Sequence, residues 1–210
     1  YGTPASKIGV LRWGVDARTF TPTAPCNALG AEDPYLLFVG ALLPRRRPIV
    51  MLDAFAEVAK ERPELSFVIA GTDRLPDGGT LESAIRERDL ADRVVRLGWV
   101  DETDLPGLIG GAAATIYLST YEGFGIPPLE SLACGTLAVV SAGLALDDLW
   151  PDYPYRARNL SGADVARSLR AVLATSPQTE AVREQGLALA RSLTWRKCAE
   201  AFLEEIESLR

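Results

Sequence analysis

The chain has 210 residues, of which 48% are hydrophobic and 24% are charged, and its formal net charge is −6. This composition is typical of a globular protein with one large domain or two small ones. The acidic balance argues against a broad nucleic-acid surface. No apolar run approaches the roughly 20 residues of a membrane-spanning helix.

The residue types present exclude several kinds of catalytic site. The chain has no histidine, so it lacks Ser-His, Cys-His and His-metal chemistry. The three cysteines, Cys26, Cys134 and Cys198, are widely spaced and have no metal-ligand spacing. They fit a reducing compartment better than a disulfide framework, so we expect a cytoplasmic location. The first residues lack both a signal peptide and an initiator Met, which suggests an excised or processed piece.

Residues 1–34 predict an extended lead-in, with four prolines and few long apolar runs. We interpret this span as a linker that lies over a surface. From Tyr35 the pattern changes, and residues 35–210 predict one Rossmann-like domain with helices at its C-terminal end.

Short apolar strands alternate with helical segments in this second part. The predicted strands lie at 35–40, 65–71, 94–100, 112–119 and 137–143. The predicted helices lie at 48–62, 80–93, 102–112, 127–135, 162–176, 177–193 and 194–210. Residues 150–160 are predicted to be irregular. Continuously apolar strands separated by helices predict an α/β fold with a parallel sheet flanked by helices.

The segment YEGFGIPPLESLACGT, residues 121–136, joins the fourth predicted strand to a helix. Its glycines permit close backbone approach, and its two prolines begin a helix whose free amides attract anions such as phosphate. Glu122 and Glu130 repel phosphate, which makes sense if they bind hydroxyls at the two ends of one ligand. A nucleotide sugar has this layout, with Glu130 at the ribose and Glu122 at the sugar.

A purely structural explanation of the same segment stays open at this point. A glutamate in the first turn of a helix is favoured by the helix dipole without any ligand. Two glycines and two prolines form a tight turn in any protein.

Five ordered segments resemble the C-terminal, donor-binding domain of retaining glycosyltransferases of group 1, family 4, which have the GT-B fold. They are KIGVLRWGVDARTFTP, LLFVGALLPRRRP, RVVRLGWVDETDLPGLI, YEGFGIPPLESLACGTLAVVS and LTWRKCAEAFLEEI. The fourth segment contains the E-x7-E motif of that family. The resemblance covers nearly the whole chain and implies the C-terminal half of a GT-B enzyme.

The resemblance also implies roles for individual residues. Glu122 and Arg46 take the catalytic roles, Glu122 at the donor-sugar hydroxyls, and Glu130 holds the ribose. The other implied donor-binding residues lie in three loops: Gly40 and Arg45; Gly123, Phe124, Gly125, Ile126 and Leu129; and Gly98, Trp99 and Val100 at the base. No metal and no cofactor are expected, because cations and helix-end amides hold the diphosphate.

The sequence departs from the family pattern at the phosphate loop. Ala41 stands where the family usually has arginine, and Arg46 and Arg47 stand in place of a lysine-glycine pair. Losing one electrostatic contact of this kind costs about 3 kcal/mol in a transition state. The structural explanation of the three arginines is a solvated loop. The family's glycine pair and Pro-Glu are also missing after the fifth strand.

These observations predict a donor-binding half that transfers sugar from a nucleotide-diphosphate sugar, with the acceptor domain outside this chain. The isolated domain is expected to be inactive. The alternative is a non-catalytic nucleotide-sugar binding or interaction module with a degenerate phosphate clamp, and an epimerase of similar fold is a weaker third reading. The expected partners are the donor and an acceptor domain in the same or a separate chain. Nucleic acid is not expected, and membrane contact is expected only through the other domain.

Overall fold

The computed structural model describes residues 2–4, 7–23, 34–76 and 80–208. Six strands form one sheet, and eight α-helices surround it within the described part of the chain. The strands are β1 (Tyr35–Val39), β2 (Ser66–Ala70), β3 (Val94–Gly98), β4 (Ala114–Tyr117), β5 (Ala138–Ser141) and β6 (Arg156–Ala157). The helices are α1 (Pro48–Ala59), α2 (Thr80–Glu87), α3 (Leu105–Gly110), α4 (Ile126–Ala133), α5 (Ala145–Leu149), α6 (Gly162–Val172), α7 (Pro177–Ser192) and α8 (Trp195–Ser208).

The sheet is parallel throughout, with the strand order β3-β2-β1-β4-β5-β6. Its central strands are buried on both faces, and Leu37 and Phe38 of β1 have no exposed surface. This burial explains why the strands are apolar at every position rather than at alternate ones. The predicted α/β fold with a helix-flanked parallel sheet is therefore confirmed.

The strand order reverses between β1 and β4, which are adjacent in the sheet. The chain leaves β1 toward one side and β4 toward the other, so a crevice opens at the carboxyl ends of these two strands. The loop after β1 contains a 3-10 turn, Pro44–Arg46, and the loop after β4 leads to α4. The two loops that carry the predicted site therefore face each other across this crevice.

Two elements were missed in the sequence. The segment predicted to be irregular contains β6, and the stretch before it contains α5. The strand β6 has only two residues, too few to produce a periodic signal. It is placed by Tyr153, whose buried hydroxyl donates to Ala138 O at 2.7 Å and accepts from Ala138 N at 3.0 Å.

The helix α2 is shorter than predicted and ends at Glu87 instead of residue 93. Asp89 adopts a left-handed conformation with φ 55°, and Leu90 N bonds to Ile85 O at 3.0 Å. A left-handed residue followed by a hydrogen bond back to the last helical turn is a common way in which a helix terminates. The signal was difficult to see because Asp89 stands where glycine normally does.

The lead-in packs against the other end of the chain. Val15 is buried, and its amide donates to Leu193 O at 3.0 Å, between α7 and α8. A Cβ built on Gly14 would lie 2.1 Å from Trp195 N, so only glycine fits at this contact. Among the described residues, no helix combines the length and apolar character that a membrane crossing requires.

Candidate functional site

Three glycines form a row across the carboxyl edge of the sheet. Gly40, Gly71 and Gly98 end or follow β1, β2 and β3, and Gly71 N donates to Gly98 O at 2.6 Å. A Cβ built on Gly71 would lie 2.0 Å from Gly40 O. Gly71 is therefore required because the Gly40 backbone occupies the place of a side chain, whereas the space beside Gly98 is open.

The N-terminus of α4 opens onto the same crevice. Gly125 is the N-cap with φ 87°, a conformation that residues with side chains rarely adopt, and no side chain in the described part of the chain caps this end. Pro127 and Pro128 have no N–H, so the free amides at this end come from Phe124, Gly125 and Ile126. Leu129 lies at the fourth helical position, where an amide normally bonds within the helix, and its side chain is buried.

Glu122 contacts both arginines of the facing loop. Arg45 Nη1 donates to Glu122 Oε1 at 2.6 Å, and Arg46 Nε lies 3.2 Å from the same oxygen. The Glu122 side chain is only 9% exposed, compared with 37% for Arg45 and 12% for Arg46. A carboxylate this buried needs cationic partners, and the PRRRP loop supplies two of them.

Arg46 lies deepest in the crevice. Its guanidinium carbon is 4.5 Å from the centre of the Tyr117 ring, and Nη1 would lie 3.0 Å from a Cβ built on Gly40. The approach of Nε to Glu122 lacks hydrogen-bond geometry, so Nε and Nη1 are buried without an acceptor among the described residues. Buried donors of a charged group rarely remain unpaired, and an anion beside Gly40 would supply the missing acceptors.

The loop between β4 and α4 is held rigid by serines. Ser141 Oγ accepts from Ser119 N at 2.7 Å, and Ser119 Oγ donates to Tyr121 O at 2.8 Å. Thr120 N donates to Arg45 O at 3.0 Å, which joins the two facing loops. Glu122 therefore follows a backbone segment that is fixed on both sides.

Glu130 has the opposite environment. It lies in the second turn of α4, and its side chain has no hydrogen bond or ion pair with the described residues. Burial, with a smaller contribution from the charge of Glu102, raises the pKa of Glu130 to about 7. The first turn of α4 contains no acidic residue, so the helix dipole does not explain Glu130.

The predicted base-binding segment lies at the end of β3. Gly98 has φ 67° and belongs to the glycine row, while the Trp99 side chain is 75% exposed. Val100 is partly buried and packs with Leu97 and Leu105 against the core. This segment lies two strands from Gly40, about 10 Å across the sheet, on the same edge.

The structure thus brings the predicted residues to one edge, except that the Leu129 side chain points into the core. It also adds residues that were missed in the sequence. Tyr117 supports Arg46, and burial raises the pKa of the Tyr117 phenol to about 12, with opposing effects of nearby Arg46 and Glu122. Its signal was an aromatic residue at the last position of a buried strand. Ser119 and Ser141 gave no distinctive signal, because serine is common after strands.

The loop after β1 makes a left-handed turn at Arg47. Arg47 has φ 55° and ψ 47°, a left-handed conformation in which glycine is favoured. Arg47 begins α1 as its N-cap, so the turn that glycine usually makes here is made by arginine. The side chain of Ala41 is uncharged. The guanidinium of Arg46 lies next to Gly40, which directly precedes Ala41 in the chain.

One curated relative and two solved structures resemble this chain over most of its length. The O-antigen chain mannosyltransferase B of Escherichia coli is 29% identical over 94% of this chain and 54% of its own length. The Anabaena protein HepE, solved in complex with UDP-glucose, superposes with a TM-score of 0.86 at 20% identity, over 99% of this chain and 59% of HepE. The chain therefore spans about half the length of these proteins.

The third comparison matches the whole of a single domain. It is the C-terminal domain of a glycosyl transferase group 1 family protein from Francisella tularensis, with a TM-score of 0.68 and 18% identity. The match covers 85% of this chain and 97% of that domain. The family model for glycosyl transferases group 1 matches residues 25–185. This chain belongs to the glycosyl transferases group 1 family and has the C-terminal domain fold of its members.

Proposed function

We propose that the chain is the donor-binding half of a retaining, family 4 glycosyltransferase, which moves a sugar from a nucleotide-diphosphate sugar to an acceptor. The observation that supports this most is the pair of buried Arg46 nitrogens without an acceptor. They lie beside Gly40, in the same crevice as the uncapped N-terminus of α4. A diphosphate between them would satisfy both the guanidinium and the helix amides.

In this proposal each of the two carboxylates binds the hydroxyl groups at one end of the donor. Glu130, which has no protein partner in the described structure, accepts from the ribose hydroxyls. Glu122 is oriented by Arg45 and Arg46 toward the hydroxyls of the donor sugar. The base extends along the glycine row toward Trp99. Because the cations and amides offset the diphosphate charge, the proposed reaction needs no metal ion.

Calorimetric titration with UDP, GDP and ADP in EDTA tests the proposal. One nucleotide is expected to bind, and Glu130→Ala is expected to weaken it between about 10-fold and 100-fold, the usual effect of losing a charged hydrogen-bond partner. Glu102→Ala is the matched control, because it removes a nearby carboxylate outside the proposed ribose contact. If none of the three nucleotides binds the folded domain, the proposal is wrong.

A second candidate function is a non-catalytic nucleotide-sugar module. The observation in its favour is that Arg45 and Arg46 both lie against Glu122, while Ala41 provides no further positive charge for a phosphate. The two candidates differ in the full-length protein: sugar transfer or donor hydrolysis by the unmodified protein would eliminate the second. Nucleotide binding without either reaction would favour it.

We also propose that α8 contacts the acceptor domain. This helix buries none of its described residues, and Trp195, Phe202, Leu203 and Ile206 are exposed on it. An exposed apolar surface of this kind typically marks an interface. Phe202→Glu with Leu203→Glu is expected to leave nucleotide binding by this chain unchanged and to abolish transfer by the full-length protein. Retained transfer would place the acceptor domain elsewhere.

The cytoplasmic location of the protein stays a prediction.

A further inference from the structure

We propose that the cavity between the lead-in and α5 is a carbohydrate subsite for the acceptor. The cavity has a volume of about 730 Å³, within the usual range of small-molecule sites. One side is formed by residues 10–13 of the lead-in, and the other by α5 and Pro151. The inference rests on the proposed function, because it names the substrate class that meets the donor there.

Aromatic rings line one wall of the cavity. The Trp13 ring lies 6.2 Å from the Phe124 ring and 6.0 Å from the Trp195 ring, centre to centre. Trp13 is thus supported on two sides, yet 47% of it stays exposed. A rigid, half-exposed indole offers a flat apolar surface with one polar N–H, and this combination suits the apolar face and the hydroxyls of a sugar ring.

Two carboxylates of α5 also line the cavity. Asp147 is fixed, since Oδ2 accepts from Gly143 N at 2.6 Å and Oδ1 lies 2.6 Å from Arg156 Nε. Asp148 is exposed and has neither a hydrogen bond nor an ion pair with the described residues. Arg12 also lines the cavity. Acceptor oxygens and guanidinium donors together match hydroxyl groups, which both donate and accept.

The charges that line the cavity and its position beside Glu122 indicate which ligand fits it. Asp148 has no cationic partner among the described residues, so it disfavours a phosphate group at its side of the cavity. The cavity includes Gly123 and Phe124, and these two residues directly follow Glu122. A ligand in the cavity therefore lies at the sugar end of the proposed donor. A neutral sugar residue of the acceptor fits both conditions.

The indole N–H resonances of the 15N-labelled chain provide the test. Methyl α-mannoside and methyl α-glucoside are titrated without nucleotide, and Trp13→Phe identifies the Trp13 signal. At least one glycoside is expected to shift the Trp13 signal in a saturable manner and to leave the Trp99 signal unchanged. Asp148→Asn is expected to weaken binding about tenfold. Asp152→Asn is the matched control, because Asp152 lies outside the cavity, and it should have no effect.

Three outcomes would overturn the subsite. They are no shift of Trp13 with either glycoside, equal binding by Asp148→Asn and the unmodified chain, and a shift with UDP-glucose but not with free glycosides. The last outcome would assign the cavity to the donor sugar. Glycoside binding by a chain that binds no nucleotide would support the carbohydrate subsite and contradict the donor-binding function. The failure of one proposal can therefore be distinguished from the failure of the other.

Discussion

Glu122 and Glu130 belong to one motif, but the fold places them in opposite electrostatic environments. Glu122 contacts two arginines from the loop after β1, whereas Glu130 lies in α4 without a cationic partner among the described residues, and its pKa is raised to about 7. Burial disfavours the charged form of a carboxylate, and no cation among the described residues offsets this effect at Glu130. A shared motif therefore fixes where two carboxylates lie, while the surrounding loops decide which partners each one has.

The largest expected effect is on phosphate binding by Arg46, one of the two arginines that contact Glu122. Arg46→Gln is expected to weaken inorganic pyrophosphate binding about 100-fold, because two charged donors are lost from a buried position. Arg45→Gln is the matched control and should weaken it only a few-fold, since Arg45 is more exposed. Calorimetry measures both. Equal losses in the two variants would contradict a special role of Arg46.

The next effect concerns the pH dependence of stability. In the folded chain the pKa of Glu130 lies above the ordinary value of 4.5 for a glutamate, so the folded state binds more protons between about pH 4.5 and pH 7. The free energy of unfolding therefore falls as pH rises through this window. Glu130→Gln mimics the protonated form and should be about 3 kcal/mol more stable than the unmodified chain above pH 7, with no difference below pH 4.5.

Urea unfolding at several pH values checks this prediction. Glu102→Gln is the control, because it removes only the smaller cause of the raised pKa and should therefore change the profile slightly. A constant difference between Glu130→Gln and the unmodified chain at every pH would show that Glu130 does not titrate in this window.

The smallest expected effect tests the loop that presents the two cations. Arg47→Gly should raise the free energy of unfolding by about 1 kcal/mol, because φ 55° is strained for arginine and relaxed for glycine. Lys60→Gly is a useful contrast, since Lys60 has φ −67° and should lose stability as glycine. Thermal unfolding compares them. Destabilisation by Arg47→Gly would mean that the Arg47 side chain has a stabilising contact that outweighs the strain.

The fold was largely predictable because its strands are apolar along their full length. The runs around Leu37 and Val68 are unambiguous, and their order along the chain implies a parallel sheet. The strand β6 could not be predicted, because it depends on a tertiary contact of the Tyr153 hydroxyl rather than on its own two residues. The same applies to α5, which has only five residues.

The site was predictable to the level of its loops but not of its contacts. The spacing of Glu122 and Glu130 gave one carboxylate in a loop and one in a helix, and the structure has both. The stacking of Arg46 on Tyr117 joins the loop after β1 to the end of β4, and local sequence carries no record of it. Trp13 was missed for the same reason, since the ring contacts that support it come from Phe124 and Trp195.

The contact between Gly14 and Trp195 has a consequence for the order of folding. It joins two positions that are separated by nearly the whole described chain, so forming it early would close a longer loop, at a higher entropic cost, than pairing two neighbouring strands. The sheet, built from pairs closer in sequence, is expected to assemble first, and this contact last. Trp13 is the neighbour of Gly14, so the aromatic wall of the cavity is completed only when the two ends of the domain have met.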